Sequence, residues 1–238
     1  MIPSKEANNL GTSQALLDAV WPEVEARCVA GHSALPREVF WLNGAPGSGK
    51  GTHTSALMQH LGYRSSPVVT SDLLKTQAAR ALIDAGQLVG DREVSSIVLR
   101  ALSEPHHREG VVVDGFPRTR IQAEFLRLLH ARLVAHRSQC GPPPRFHIFV
   151  LFVDEEESVR RQMQRGQETL RTSGGSQAVR KTDLDPELAR QRFRVFMEQT
   201  IEPLRALRDL FPFHIVNTTG TIEEVRQRIV AQLGCCGK

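Results

Sequence analysis

The nine residues Gly44-Ala-Pro-Gly-Ser-Gly-Lys50-Gly-Thr52 constrain this chain more than any other stretch. Four glycines in nine positions favour neither helix nor strand by themselves. They follow the continuous apolar run Val39-Phe40-Trp41-Leu42 and precede a segment with Leu57, Met58 and Leu61 at helical spacing. Strand, glycine loop and helix in that order predict a phosphate cradle. Without Cβ atoms the backbone can wrap an anion with successive N–H groups turned inward, and the positive end of the following helix points at the same place. Lys50 supplies a mobile positive charge. The next residue is Gly51, and the hydroxyl comes only at Thr52. A magnesium ion on such a phosphate is therefore expected to be held mainly through the phosphates, water and carboxylates.

Further strand-like runs fall at Pro67–Thr70, Val111–Asp114, His147–Val153 and Phe213–Val216, separated by helical patterns. The spacing predicts helices over Thr52–Leu61, Glu93–Leu102 and Gln122–His136. A long helix is predicted over Glu187–Leu210 with a bend at Pro203, and a last helix over Thr221–Leu233 that opens as a capping box, Thr221 to Glu224. Apolar strands alternating with helices predict a parallel sheet covered on both faces, an α/β three-layer αβα sandwich. Ahead of the first strand, Leu16, Leu17, Val20, Trp21 and Val24 predict a packing helix from Ser13, its N-cap, to Cys28, with residues 1–11 loose. Gly141-Pro-Pro-Pro144 reads as a stiff surface connection, and Arg171–Gln177 as a flexible polar segment.

Lys and Arg number 30 against 26 acidic residues, a net charge of +4. No basic run interleaves with aromatics, so nucleic acid is not an expected partner. No apolar run nears the roughly 20 residues that span a bilayer, and the N-terminus lacks a secretory pattern. A monomeric cytoplasmic protein is expected. Cysteines 28, 140, 235 and 236 have no metal-ligand spacing and read as free thiols, and His106-His107 reads as a turn or solvated loop.

A second motif, Asp114-Gly-Phe-Pro-Arg118-Thr, follows the loop. Together, GAPGSGKGT and DGFPRT resemble the adenylate kinase family of nucleoside-monophosphate kinases, over roughly residues 37–233. The resemblance implies a P-loop domain on a five-stranded parallel sheet, here 36–238, after a helical extension over 1–35. It also implies an acceptor flap at about 71–98 and a lid at about 166–182. It further implies ATP and Mg²⁺, AMP as acceptor, and reversible in-line phosphoryl transfer.

By the same resemblance, Gly47, Ser48, Gly49, Lys50, Gly51 and Thr52 bind the ATP phosphates. Thr70, with Asp72 nearby, falls in the monophosphate segment, and Gln87, Leu88 and Val89 flank the acceptor nucleotide. Gly115 lies in the acceptor site, Arg118 clamps the acceptor phosphate, Gln122 contacts its base, and Asp114 holds magnesium through water. Arg161 and Arg165 border the ATP site, Arg192 bridges the two sets of phosphates, and Gly220 ends the loop at the donor base. Such arginines suit the chemistry, because two polyanions must meet in line with water excluded, and a planar fork fixes phosphate oxygens.

Two positions depart from the pattern. Lys75 stands at an acceptor-phosphate arginine, and an ungapped count puts Lys181 at a catalytic lid arginine, with Arg180 able to replace it after a one-residue shift. Lysine keeps the charge but loses the fork. The stretch from Lys75 to Gly86 is also shorter than the family's flap. A kinase for UMP/CMP or another monophosphate, and a nucleotide-binding regulator with weakened transfer, are the alternatives.

Overall fold

A computed structural model describes residues 5–28, 35–74, 90–173 and 181–234. Five parallel strands form one sheet in the order β2-β3-β1-β4-β5. In the middle lies β1 (Glu38–Gly44), flanked by β3 (Val111–Asp114) and β4 (Arg145–Phe152), with β2 (Val68–Val69) and β5 (Phe213–Asn217) outside. The register sets Leu42 beside Asp114 and Phe149, and Val69 beside Asp114. The residues that leave the carboxyl ends of β1, β2 and β3 thus start from one short edge, where ligands bind in open parallel sheets.

Alternation along the strands makes two cores. Val39, Trp41, Val111, Val113, Ile148 and Val150 face one side, packed by α1 (Lys5–Arg27), α3 (Asp91–Leu102) and α4 (Arg120–Ala135). Phe40, Leu42, Val112, Phe149 and Leu151 face the other, against α2 (Lys50–His60) and α7 (Ile222–Gly234). This is the expected three-layer sandwich, with the expected five parallel strands. The capping box at Thr221 is present, with Thr221 N–H donating to Glu224 Oε2 at 2.8 Å and Glu224 N–H to Thr221 Oγ1 at 3.3 Å.

Several boundaries differ from the sequence reading. The first helix begins at Lys5, so Ser13 is no N-cap. It lies within the helix, fully buried, and its Oγ donates to the carbonyl of Ile121 in α4 at 3.0 Å. A polar residue in the apolar stripe is kept because a neighbouring helix satisfies it. As expected, α1 is a packing helix. Leu16, Leu17, Val20, Trp21 and Val24 are buried, and Glu23–Arg100 and Asp18–Arg132 ion pairs tie its exposed side to α3 and α4.

The long helix over 187–210 is instead α6 (Pro186–Val195), a wider i→i+5 turn over Phe196–Ile201 and a short turn Glu202–Arg205. Pro203 brings no N–H and its ring crowds the preceding turn, and the widened stretch just before it accommodates both. Helix α5 (Glu155–Ser173) runs through Arg171–Ser173, so the first half of the expected lid is regular helix, and 174–180 lie outside the described residues. His106-His107 sits in a 3₁₀ turn, but His107 is buried rather than solvated, and burial pushes its pKa down to about 4.

Free thiols are not what the structure has at two of the four cysteines. Cys28, just past α1, and Cys140, ending the turn Arg137–Cys140, form a disulfide. Packing of α1 along α4 brings these ends together, with Cα atoms 4.7 Å apart, across 112 residues of sequence. Cys235 and Cys236 lie outside the described residues.

Candidate functional site

The phosphate loop spans the gap between β1 and α2. Gly47 and Gly49 adopt left-handed φ values of 73° and 78°, and α2 begins at Lys50 itself. The Lys50 ammonium turns back onto the loop and donates to the Gly44 carbonyl at 2.9 Å. Burial pushes its pKa down to about 8. Arg118, Arg192 and Arg165 press in the same direction, and Asp114 opposes them. Lys50 thus feels three further cations from separate parts of the chain, an arrangement that a polyanion relieves. The Ser48 hydroxyl is buried within the loop and has no partner among the described residues. Gly51 and Thr52 lie on the exposed side of the first turn of α2.

Asp114 ends β3 beside the loop. Burial raises its pKa, and nearby Lys50 and Arg118 pull it back. After it the chain turns at Gly115, where φ is 87° and an added Cβ would lie 2.2 Å from Arg118 Nη2. Only glycine permits both that turn and the guanidinium tucked beneath it. Arg118 Nε donates to the Gly115 carbonyl at 2.7 Å. Asn43 Nδ2 holds the Phe116 carbonyl at 3.1 Å, and Thr200 Oγ1 the Arg118 carbonyl at 2.9 Å. The Phe116–Pro117 peptide is cis.

Gln122 is buried, with its amide engaged at both ends. Oε1 accepts from the Arg118 N–H at 2.8 Å, and Nε2 donates to Asp91 Oδ1 at 2.9 Å. The same Asp91 oxygen takes the Thr119 hydroxyl at 2.7 Å, while Thr119 Oγ1 caps α4 through the Gln122 N–H. Thr70, after β2, has a buried hydroxyl with no partner among the described residues. Lys75, Gln87, Leu88 and Val89 lie outside the described residues.

Helix α5 carries the donor-side arginines. Arg161 pairs with Glu157 at 2.6 Å, and its Nη2 donates to the Thr218 carbonyl at 2.9 Å. Arg160 and Arg161 hold the Glu157 carboxyl at a pKa of about 2. Arg161 Nη1 also donates to the Gly47 carbonyl at 3.4 Å, joining the phosphate loop to the 217–220 loop, whose Asn217 and Thr219 carbonyls accept from Arg228 at 2.9 and 2.6 Å. Gly220, at φ 108°, closes that loop. Arg165 pairs with Asp183 through two prongs, and Arg192 approaches Asp183 at 3.7 Å and Gln162 Oε1 at 3.2 Å. Lys181 opens the short turn Lys181–Asp183, where its side chain is outside the described set, as is Arg180.

Among the described residues, Lys50, Asp114, Arg118, Arg165 and Arg192 thus share one electrostatic neighbourhood. Sequence reasoning missed Asp91, Ser158, Gln162, Asp183 and Arg228. Asp183 and Asp185 look alike in sequence, yet one pairs with Arg165 and the other caps α6.

A family model described as adenylate kinase matches residues 42–206. The adenylate kinase of Methylobacterium radiotolerans is 37% identical over 174 residues, covering 69% of this chain and 80% of that protein. That of Porphyromonas gingivalis is 32% identical over 195 residues, covering 78% and 90%. That of Phocaeicola vulgatus is 29% identical over 200, covering 79% and 94%. Since the family model spans well over half of its length and carries both the phosphate loop and the Asp114–Thr119 turn, the chain belongs to the adenylate kinase family.

Proposed function

We propose that the protein is an ATP-dependent nucleoside-monophosphate kinase with AMP as acceptor, interconverting ATP plus AMP with two ADP. The observation that carries this reading is the convergence of Arg118, Arg165 and Arg192 on Lys50 at the carboxyl edge of the sheet. Two polyphosphates repel each other, and a site that aligns them needs cations from both sides of the transferring group. Lys50 follows the γ-phosphoryl group, the loop N–H groups hold the donor phosphates, and Arg161 stands at the donor nucleoside beside the 217–220 loop. Arg118 fixes the acceptor phosphate, and Arg165 and Arg192 close over the charge that develops in transfer. The buried Thr70 hydroxyl, with no partner among the described residues, favours a ligand on the acceptor side. Lys75 and the residues at 87–89 complete the acceptor pocket in this reading, and Lys181 or Arg180 completes the lid.

The residues also fit a magnesium ion. Asp114 is a carboxylate at the strand end whose pKa burial raises while Lys50 and Arg118 pull it back, and it would hold the ion through water. The ion supplies further neutralisation of the donor phosphates when bound. Turnover of ATP with AMP, GMP, CMP and UMP in a coupled assay tests the reading. AMP is expected to be the fastest. A preference for a pyrimidine monophosphate would reassign the acceptor, and binding without transfer to any of the four would leave a nucleotide-binding regulator.

A further inference from the structure

Helix α5 crosses the phosphate loop at Gly47, where an added Cβ would lie 2.9 Å from the Ser158 carbonyl oxygen. On the face it turns to the loop, α5 carries Ser158 and Gln162, one helical turn apart and both with no exposed surface. Such inward positions are ordinarily apolar, because a buried hydroxyl or amide costs stability unless every polar atom is paired. Here the pairing is complete and runs one way. Arg192 Nη1 donates to Gln162 Oε1 at 3.2 Å, and Gln162 Nε2 donates to Ser158 Oγ at 3.2 Å and to the Ser158 carbonyl at 3.3 Å. Ser158 Oγ then donates to the carbonyl of Pro46 in the loop at 2.8 Å.

We propose that Ser158 and Gln162 are positioning residues that set the Arg192 guanidinium in register with the phosphate loop. At the loop end, a trans peptide holds its C=O and N–H antiparallel. Drawing the Pro46 carbonyl towards Ser158 therefore turns the Gly47 N–H the other way, into the cradle. At the far end, Gln162 offers a lone pair to an arginine on α6. A primary amide can accept from the guanidinium and donate to the hydroxyl at once. A donor chain pointing in one direction also strengthens each bond in it. The loop that holds the donor phosphates and the arginine that meets the transferring group are thereby located against each other through side chains that touch neither nucleotide. This inference rests on the reading of Arg192 as a phosphate-contacting residue.

The test uses the full chain with Gln162→Met, Gln162→Glu and Ser158→Ala, each also combined with Arg192→Met. Steady-state rates are measured with ATP and AMP, together with thermal midpoints. Calorimetric affinity for a dinucleoside pentaphosphate, which spans both sites, gives a readout independent of turnover. Gln162→Met keeps the volume and removes all three bonds. It is expected to lower kcat by about tenfold to a hundredfold, the scale for a slightly displaced catalytic group, with smaller changes in either KM. Gln162→Glu keeps the acceptor for Arg192 and should restore part of the rate. In the Arg192→Met background, Gln162→Met should change neither rate nor affinity further. An equal loss in both backgrounds, or a lowered thermal midpoint with unchanged kcat and affinity, overturns the proposal. If the wild type transfers no phosphate, the functional reading fails while the affinity cycle still decides the positioning role. A wild type that also fails to bind the pentaphosphate overturns both.

Discussion

Arg165 and Asp183 lie 18 residues apart and meet side on, Nε to Oδ2 at 2.8 Å and Nη2 to Oδ1 at 2.7 Å. The carboxylate is 5% exposed and the guanidinium 43%. Asp183 thus holds the plane of an arginine whose face remains open to the site, as a pre-organised clamp requires. Asp183→Asn puts an N–H₂ group opposite a donor and removes the charge. Because Arg165 can rehydrate, the stability loss should stay at about 1–3 kcal/mol in urea unfolding. The effect on kcat should be larger, at least about tenfold. A variant with full kcat would leave Asp183 a purely structural partner.

Lys50 sets an alkaline limit. Its ammonium attracts phosphate only while protonated, and in the free protein burial and three arginines hold its pKa to about 8. The attraction is therefore present below that pH and lost above it, so kcat/KM for ATP should fall as pH rises through about 8. Bound triphosphate favours the charged form, so the limb in kcat should lie at higher pH. Lys50→Ala should abolish transfer with the fold intact by circular dichroism. Unchanged activity would remove Lys50 from the chemistry.

Arg118 and Asp91 should act on the acceptor. Arg118→Ala removes a charged fork and should raise KM for AMP by about tenfold to a hundredfold, far more than KM for ATP. Asp91→Ala frees both the Thr119 hydroxyl and the Gln122 amide. It should move KM for AMP in the same direction by a smaller factor, since it acts through those two side chains. The reverse ordering of substrates in either variant would mean that donor and acceptor sites are exchanged.

The disulfide between Cys28 and Cys140 ties the helix α1 to the end of the α4 segment across 112 residues. Closing so long a loop restrains the unfolded chain, so reduction should lower stability by about 2–4 kcal/mol. Urea midpoints with and without dithiothreitol check this. The Cys28→Ser/Cys140→Ser variant should match the reduced protein and show no response to reductant. A wild type indifferent to reductant would mean that the pair carries no stability.

What the sequence revealed follows how local the controlling physics is. The three central strands were readable because each is an apolar run buried on two faces, and only the ends moved, as with β1 reaching from Glu38 to Gly44. The helices α2, α3 and α4 were readable from one-sided apolar spacing. The start of α1 was not, because Ser13 offers a capping hydroxyl in sequence and spends it on Ile121 in space. Likewise Pro203 announced a disturbance but not that the helix would widen before it.

The sequence by itself determined the phosphate loop, since glycine spacing, the flanking strand and the following helix are all settled within about twenty residues. It also determined that arginines would be wanted nearby. Tertiary structure decided which charges meet. Lys50 faces Arg118, Arg165 and Arg192 only because β3 and β4 pair on either side of β1. It also chose Asp183 over Asp185 for Arg165, and gave Ser158 and Gln162 the loop and Arg192 as partners. Those pairings span 18 to 112 residues of chain, a range over which side-chain spacing carries no information and only the crossing of packed elements fixes who touches whom.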